Sequence, residues 1–221
     1  MRPYLNLRAS LAAAALGALC LSTSLAALPG TARSDDSGGA RAAIAADIAP
    51  GKSRLNVLAG RRASVKGRVV TGAAGRRALL QRRSGDGWTT IDRATTRARG
   101  AFAFAFRPTT PGSARLRVRV DAAAREIGRL NVYRRAAVSW YGPGLYGNKL
   151  SCGGRLTPGT LGVAHKTLPC GAHVTLRRGD RVIRVRVVDR GPYVGGREFD
   201  LTSATRAKLR FGGVGSLLVA G

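Results

Sequence analysis

The chain has 221 residues, enough for one large or two small domains. Its 38 Lys and Arg against 11 Asp and Glu leave a formal charge of +27, which says nothing about fold but points to anionic polymers as partners, held by an attraction that weakens with salt. Aromatic residues make up only 5%, which excludes a core built on large rings and leaves it to Val, Leu, Ala and Ile.

The N-terminus reads as an export signal. Arg2 and Arg8 supply a positive start, residues 11–28 are apolar and rich in Ala and Leu, and small residues come after them. A signal peptide over residues 1–32 is expected, with cleavage near 26–32 and the mature protein secreted to the cell envelope or beyond. An uncleaved membrane anchor is the competing reading, since the apolar run approaches the ~18 residues that span a bilayer; Ser22, Thr23 and Ser24 interrupt it. Residues 33–52, rich in Ala, Gly, Ser and Asp, read as a flexible linker.

From 53 to 135 short alternating runs are separated by turn residues. Residues 62–70 and 77–82 read as strands, and a Gly-containing turn at 84–87 precedes another at 88–92. Phe102, Phe104 and Phe106 share one face of a run over 100–106. Leu116, Val118 and Val120 share one face of 115–120 and place Arg115, Arg117 and Arg119 on the other; residues 128–133 offer a last strand. Strands at this spacing predict a small β-sandwich of immunoglobulin or fibronectin type. Its outward arginines are candidates for contact with anionic wall polymers such as teichoic acids, or are a solvated face that protects sheet edges.

A second domain, 136–221, opens with a strand at 138–141 and a sharp Gly142-Pro143-Gly144 turn. Residues 172–188 form a hairpin turned by Gly179-Asp180, a reading that also accounts for the adhesion-like triplet Arg178-Gly179-Asp180. Thr202 or Ser203 caps a short helix reaching about Leu209, and 214–220 close the domain as a strand. Cys152 and Cys170 form an even pair in an exported chain, which favours a disulfide over a metal pair because no CxxC spacing is present.

The richest stretch runs from Val187 to Leu201: Val-Val-Asp-Arg-Gly-Pro-Tyr-Val-Gly-Gly-Arg-Glu-Phe-Asp-Leu. Its aspartates, Asp189 and Asp200, are joined by a loop holding three glycines and a proline, tight enough to bring two strand ends together. By parity Asp189 continues the apolar face of Ile183, Val185 and Val187 and turns inward, whereas Asp200 opposes Phe199 and Leu201. Two carboxylates across a cleft are minimal equipment for acid–base work on a glycosidic bond. Two turn or helix-start anchors are the alternative.

Four blocks in order, at 138–144, 163–169, 188–193 and 199–201, resemble the rare-lipoprotein-A family of bacterial envelope proteins. The resemblance spans roughly residues 136 to 220. It implies a six-stranded double-psi β-barrel, related in fold to expansins and some lytic transglycosylases, that acts on or binds peptidoglycan glycan strands. By resemblance Asp200 takes the place of the acid, Asp189 that of its supporting aspartate, and His165, beside Lys166, lies in the family block. The whole is thus expected to be all-β, a sandwich followed by the barrel. Family members that cleave glycan carry a Glu and an Asp before the Ala-His-Lys-Thr-Leu-Pro block; here Gly154 and Thr157 stand at those distances.

Lytic transglycosylase-type cleavage is therefore one expectation, with catalytic residues Asp200, Asp189 and His165; an expansin-like, non-cleaving wall protein is the other. Trp140, Tyr141, Tyr146, Lys166, Arg190 and Tyr193 are candidate saccharide contacts, Trp140 being equally suited to a barrel core. An acid in this role has to keep its proton near neutral pH, favoured by burial or a second carboxylate and opposed by a following helix or nearby arginines. No cofactor, no metal and no nucleic-acid partner is expected, and the protein is expected to be a monomer; an export signal and few aromatics fit no RNA-binding motif.

Overall fold

The computed structural model describes residues 47–221; the expected signal peptide and most of the expected linker lie outside them. The regular structure of the described residues is nearly all strand: β1 (Ile48–Pro50), β2 (Asn56–Leu58), β3 (Ala63–Val69), β4 (Arg77–Ser84), β5 (Gly87–Thr95), β6 (Ala101–Phe106), β7 (Gly112–Val120), β8 (Ala123–Tyr141), β9 (Gly162–His165), β10 (His173–Arg178), β11 (Arg181–Asp189), β12 (Phe199–Thr202) and β13 (Gly215–Ala220), with one α-helix, α1 (Ser203–Leu209), between the last two and a short 3-10 turn at Ala98–Gly100.

The first half forms two sheets over one core. One has the order β1-β3-β6; the other runs β5-β4-β7-β8, with β2 added to β8. Leu116, Val118 and Val120 are fully buried on one face of β7, each contributing about 1.5–3 kcal/mol. Phe102 and Phe104 are buried on β6, with ring centroids 5.7 Å apart. Ordered structure begins earlier than the composition of 33–52 suggests. β1 pairs with Gly67–Val69 of β3 and carries Ile48, only 2% exposed, into the core.

The second half is a closed barrel of six strands in the cyclic order β8-β13-β10-β11-β9-β12, returning to β8. The β12–β8 and β11–β9 pairings are parallel and the rest antiparallel. Val138, Val163, Val174, Leu176, Val187, Phe199, Leu201, Leu217 and Val219 fill it, all buried. The hairpin read at 172–188 is β10–β11. Thr202 caps α1, its hydroxyl accepting the Thr205 N–H, as its place before the helix suggests.

The expected boundary at 135/136 contains no break. β8 runs through it: Asn131, Val132 and Tyr133 pair with β2, and residues 134–138 pair with β13. Arg134-Arg135-Ala136-Ala137 holds neither glycine nor proline, so nothing stops the strand. A polar contact also joins the two halves at Ser113 and Thr175, backed by a network within the first half. Ser113 Oγ donates to Asn131 Oδ1 at 2.6 Å and lies 3.1 Å from Thr175 Oγ1, while Asn131 Nδ2 and Tyr133 Oη both donate to Asn56 Oδ1.

Cys152 and Cys170 form a disulfide. It closes a loop with a sequence separation of 18, so its loss costs about 3 kcal/mol by loop entropy. Cys152→Ser with Cys170→Ser is expected to lower the denaturation midpoint accordingly; an unchanged midpoint in a urea titration would show that the loop is held by its other contacts.

Candidate functional site

The two aspartates meet on one face of the barrel wall. β9 lies between β11 and β12, and its Ala164 is in register with Asp189 on one side and Asp200 on the other; beyond Asp200 the next partner is Ser139 of β8. Residues in register across strands project to one face, so Asp189, Ala164, Asp200 and Ser139 form a row. Two strand spacings separate the aspartate backbones by about 10 Å, with one methyl group as the floor between them.

This row depends on a bulge. Strand parity predicts an inward Asp189, but the register shifts between Val187 and Asp189, so that Val187 pairs with Val163 and Asp189 with Ala164. Val188 is the extra residue, and each such insertion turns the residues after it to the other face. Its side chain fills the space that a side chain on Gly162 would need: a Cβ there would sit 2.4 Å from Val188 Cγ2. Gly162→Ala is accordingly expected to cost about 1–3 kcal/mol and to disturb Asp189. Melts of the variant that match the parent would show that Val188 yields freely.

Asp200 accepts a hydrogen bond from Ser139 Oγ. Asp189 Oδ1 accepts the backbone N–H of Ser151 at 2.8 Å and of Arg190 at 2.9 Å. Tyr141 is two residues beyond Ser139 on β8 and shares its face. Its hydroxyl is buried and makes no hydrogen bond of acceptable geometry. Burial first, then the charges of Asp189 and Asp200, hold its proton far more tightly than in an ordinary phenol. Tyr141 is thus a proton-bearing donor held next to two carboxylates, with Asp189 near enough to draw on its proton.

The structure does not bring all the expected residues to this face. Trp140 is in register with buried Leu201, packs against the barrel core and is covered by the Arg206 guanidinium 4.1 Å from its ring. His165 is in register with buried Phe199 rather than with Asp200, and its ring tilts against Phe199 at 4.7 Å. Its Nδ1 accepts the N–H groups of Thr167 and Leu168, and its Nε2 lies 3.7 Å from Glu198 Oε1. Desolvation lowers its pKa despite that glutamate. Arg190 donates to the carbonyls of His165 and Leu168 and to Cys170 Sγ, which makes it a brace for the 165–170 loop. Tyr146 exchanges a hydrogen bond with Ser203 at 2.8 Å. Lys166 is exposed, and Tyr193, 82% exposed, stands at the tip of the Gly-rich loop.

Three participants escaped the sequence reading: Ser139, Ala164 and Glu198. Glu198 forms a two-pronged ion pair with Arg134, 64 residues away, and so links that arginine to His165. Only the Glu198 position, two before Asp200 in the chain, hinted at a role. The Arg134 hydrogen bond leads in holding the Glu198 carboxyl below its ordinary value of 4.5, against the effect of burial. A folded-state value below the unfolded one gives stability that is complete above about 4.5 and is lost as pH falls through the folded value. Glu198→Gln is expected to flatten the acid side of the melting-temperature profile; an unchanged slope below pH 5 would remove Glu198 as its source.

Similarity to known proteins is concentrated in the barrel. A family model described as "Lytic transglycolase" matches residues 134–220. A probable endolytic peptidoglycan transglycosylase RlpA of Synechocystis sp. is 40% identical over 109 residues, covering 43% of this chain and 34% of that protein. The endolytic peptidoglycan transglycosylase RlpA of Campylobacter jejuni is 42% identical over 73 residues (32% and 26%). A probable endolytic peptidoglycan transglycosylase RlpA of Aquifex aeolicus is 44% identical over 80 (35% and 35%). The chain therefore spans only 26% to 35% of the length of these relatives. Among the described residues no helix is long and apolar enough to cross a membrane.

Proposed function

Residues 134–220 being an RlpA-like double-psi β-barrel, we propose that the protein is an exported cell-wall protein that cleaves peptidoglycan glycan strands by lytic transglycosylation on the Asp189–Ala164–Asp200 face. The observation that carries this reading is the row that sets Asp189 and Asp200 on either side of Ala164, with Ser139 donating to Asp200 and the Tyr141 hydroxyl beside both carboxylates. Asp200 gives its proton to the leaving glycosidic oxygen as the C1–O4 bond breaks. It then takes the proton of the muramyl 6-hydroxyl as that oxygen closes on C1, leaving a 1,6-anhydro end. Ser139 orients Asp200, and Asp189, fixed by two backbone N–H groups, supplies negative charge beside the positive character that develops at C1.

The second reading, a barrel that grips glycan without cutting it, is favoured by Gly154 and Thr157 standing where cleaving members of the resembled family carry acids. Digestion of purified sacculi, intact and stripped of stem peptides, separates the two. Anhydro-ended fragments resolved by mass support cleavage. Their absence, with the protein retained on the sacculi, overturns it in favour of the binding role.

A further inference from the structure

Arg115, Arg117 and Arg119, the outward arginines of β7, are largely engaged within the chain. Arg115 lies 3.6 Å from Glu126, Arg117 donates to Gln81 and covers Trp88 at 4.4 Å, and Arg119 donates to the Asp121 carbonyl. A different cluster is less engaged: Arg107 and Arg177 each donate to one backbone carbonyl, of Gly60 at 3.3 Å and Gly179 at 2.7 Å, and its other arginines make no side-chain hydrogen bond among the described residues. Where the first half meets the barrel a groove of about 630 Å³ is lined by Arg54, Arg61, Arg62, Arg107 and Arg177. Among the described residues no carboxylate lines it, and only Arg177 has an acid within reach, the fully exposed Asp180 at 4.0 Å. A second hollow of about 240 Å³ shares Leu58, Arg177, Gly179 and Leu218 with the first and adds Arg135 and Arg178.

From this geometry we propose that the joined groove binds a phosphodiester-linked polymer, one negative charge per link, along a path from the first half onto the barrel. Like-charged guanidinium groups gathered round one hollow repel each other until an anion enters, and each presents a fork that matches a phosphate oxygen pair. The size excludes a single small anion as the fitted ligand: at ~30 Å³ per water the larger hollow alone holds about twenty. The lining also separates polymer classes. Its single aromatic residue, Tyr133, is 1% exposed with its hydroxyl bound to Asn56, so no ring face is offered to a base or a sugar. Guanidinium forks beside the aliphatic Leu58 and Leu218 suit phosphates joined by short aliphatic units. This binding is separate from the reading of the Asp189–Asp200 face, none of whose residues lines the groove, so the two stand or fall apart.

The test uses the mature chain and fluorescently labelled poly(glycerol phosphate) of defined length, with anisotropy read at two salt concentrations. Arg54→Gln, Arg62→Gln and Arg107→Gln together are expected to weaken binding on the order of 30-fold and to flatten its salt dependence. Arg68→Gln, Arg82→Gln and Arg93→Gln, an equal loss of charge at positions outside the groove, are expected to cost less than about 3-fold. Single-stranded DNA and a polyuronate of matched charge are expected to bind about 10-fold more weakly than the probe. Equal losses in the two triple variants would overturn the proposal in favour of a diffuse basic surface, and equal or tighter binding of DNA or polyuronate would overturn the ligand class. In the unsubstituted protein the probe is expected to shield Arg54 and Arg62 from phenylglyoxal; undiminished labelling at saturating probe counts against the groove whatever the variants do.

Discussion

Asp200→Asn is expected to reduce release of anhydro-ended fragments from sacculi by about 100-fold or more, the usual contribution of a positioned general acid–base, with little change in thermal stability. Asparagine keeps an oxygen at the place where Asp200 accepts from Ser139 Oγ, so the row of side chains over Ala164 survives while the transferable proton is lost. Asp189→Asn also retains an acceptor for the Ser151 and Arg190 N–H groups, but removes the charge beside C1, and is expected to cost about 10-fold in rate. Mass analysis of the released material over time reads both. Undiminished release by the Asp200 variant would remove it from the mechanism, and the same loss in Asp189→Asn alone would exchange the two roles. Tyr141→Phe offers a third comparison: it deletes the hydroxyl beside Asp189 and Asp200, and the apparent affinity for glycan is expected to fall.

One residue earlier on the same strand, the expected effect is of another kind. Phe199→Ala is expected to destabilise the protein by about 3–5 kcal/mol, read as a shift of the urea midpoint. Phe199 is 1% exposed inside the barrel. It touches the His165 ring and belongs to β12, which closes the barrel between β8 and β9. Truncating it leaves a hollow that rigid strands on both sides cannot collapse into, and frees the imidazole from its apolar neighbour. His165 should then titrate nearer its ordinary value, which NMR of the histidine ring would show. A loss below about 1 kcal/mol would mean that β12 shifts inward to fill the space.

Phe199 and Asp200 also illustrate what could be read in advance. Their opposite destinations follow from alternation alone, as do the buried faces of β6 and β7 and the β10–β11 hairpin, because a regular strand has period two and one dry side. Asp189 escaped the same rule. Its bulge is accommodated by Gly162, far earlier in the chain, whose missing side chain admits Val188, and no local pattern shows which distant glycine will lie beneath a strand. Glu198 was hard to read for a similar reason: its meaning comes from Arg134 on the neighbouring strand β8, 64 residues away in the chain. Ser139 and Ala164 acquire theirs from register, which the hydrophobic pattern limits and the closed barrel selects. Trp140 and Tyr141 show the reverse case. Both are aromatic and adjacent, and alternation says only that they part company; the pairing of Trp140 with Leu201 decides that the indole goes to the interior and the phenol to the carboxylates.

The unbroken β8 has a consequence for geometry on the wall. From Tyr133, beneath the arginine groove, to Ser139, beside Asp200, the distance is set by a ladder of hydrogen bonds at about 3.3 Å per residue, roughly 20 Å in all. β8 therefore acts as a ruler, keeping any chain in the groove at a constant offset, and on a constant bearing, from a chain lying over the carboxylates. The ruler has discrete graduations. Two residues added at 134–137 would lengthen it by about 7 Å and keep every side chain on its own side, whereas a single added residue would turn one of the two stations to face the wrong way.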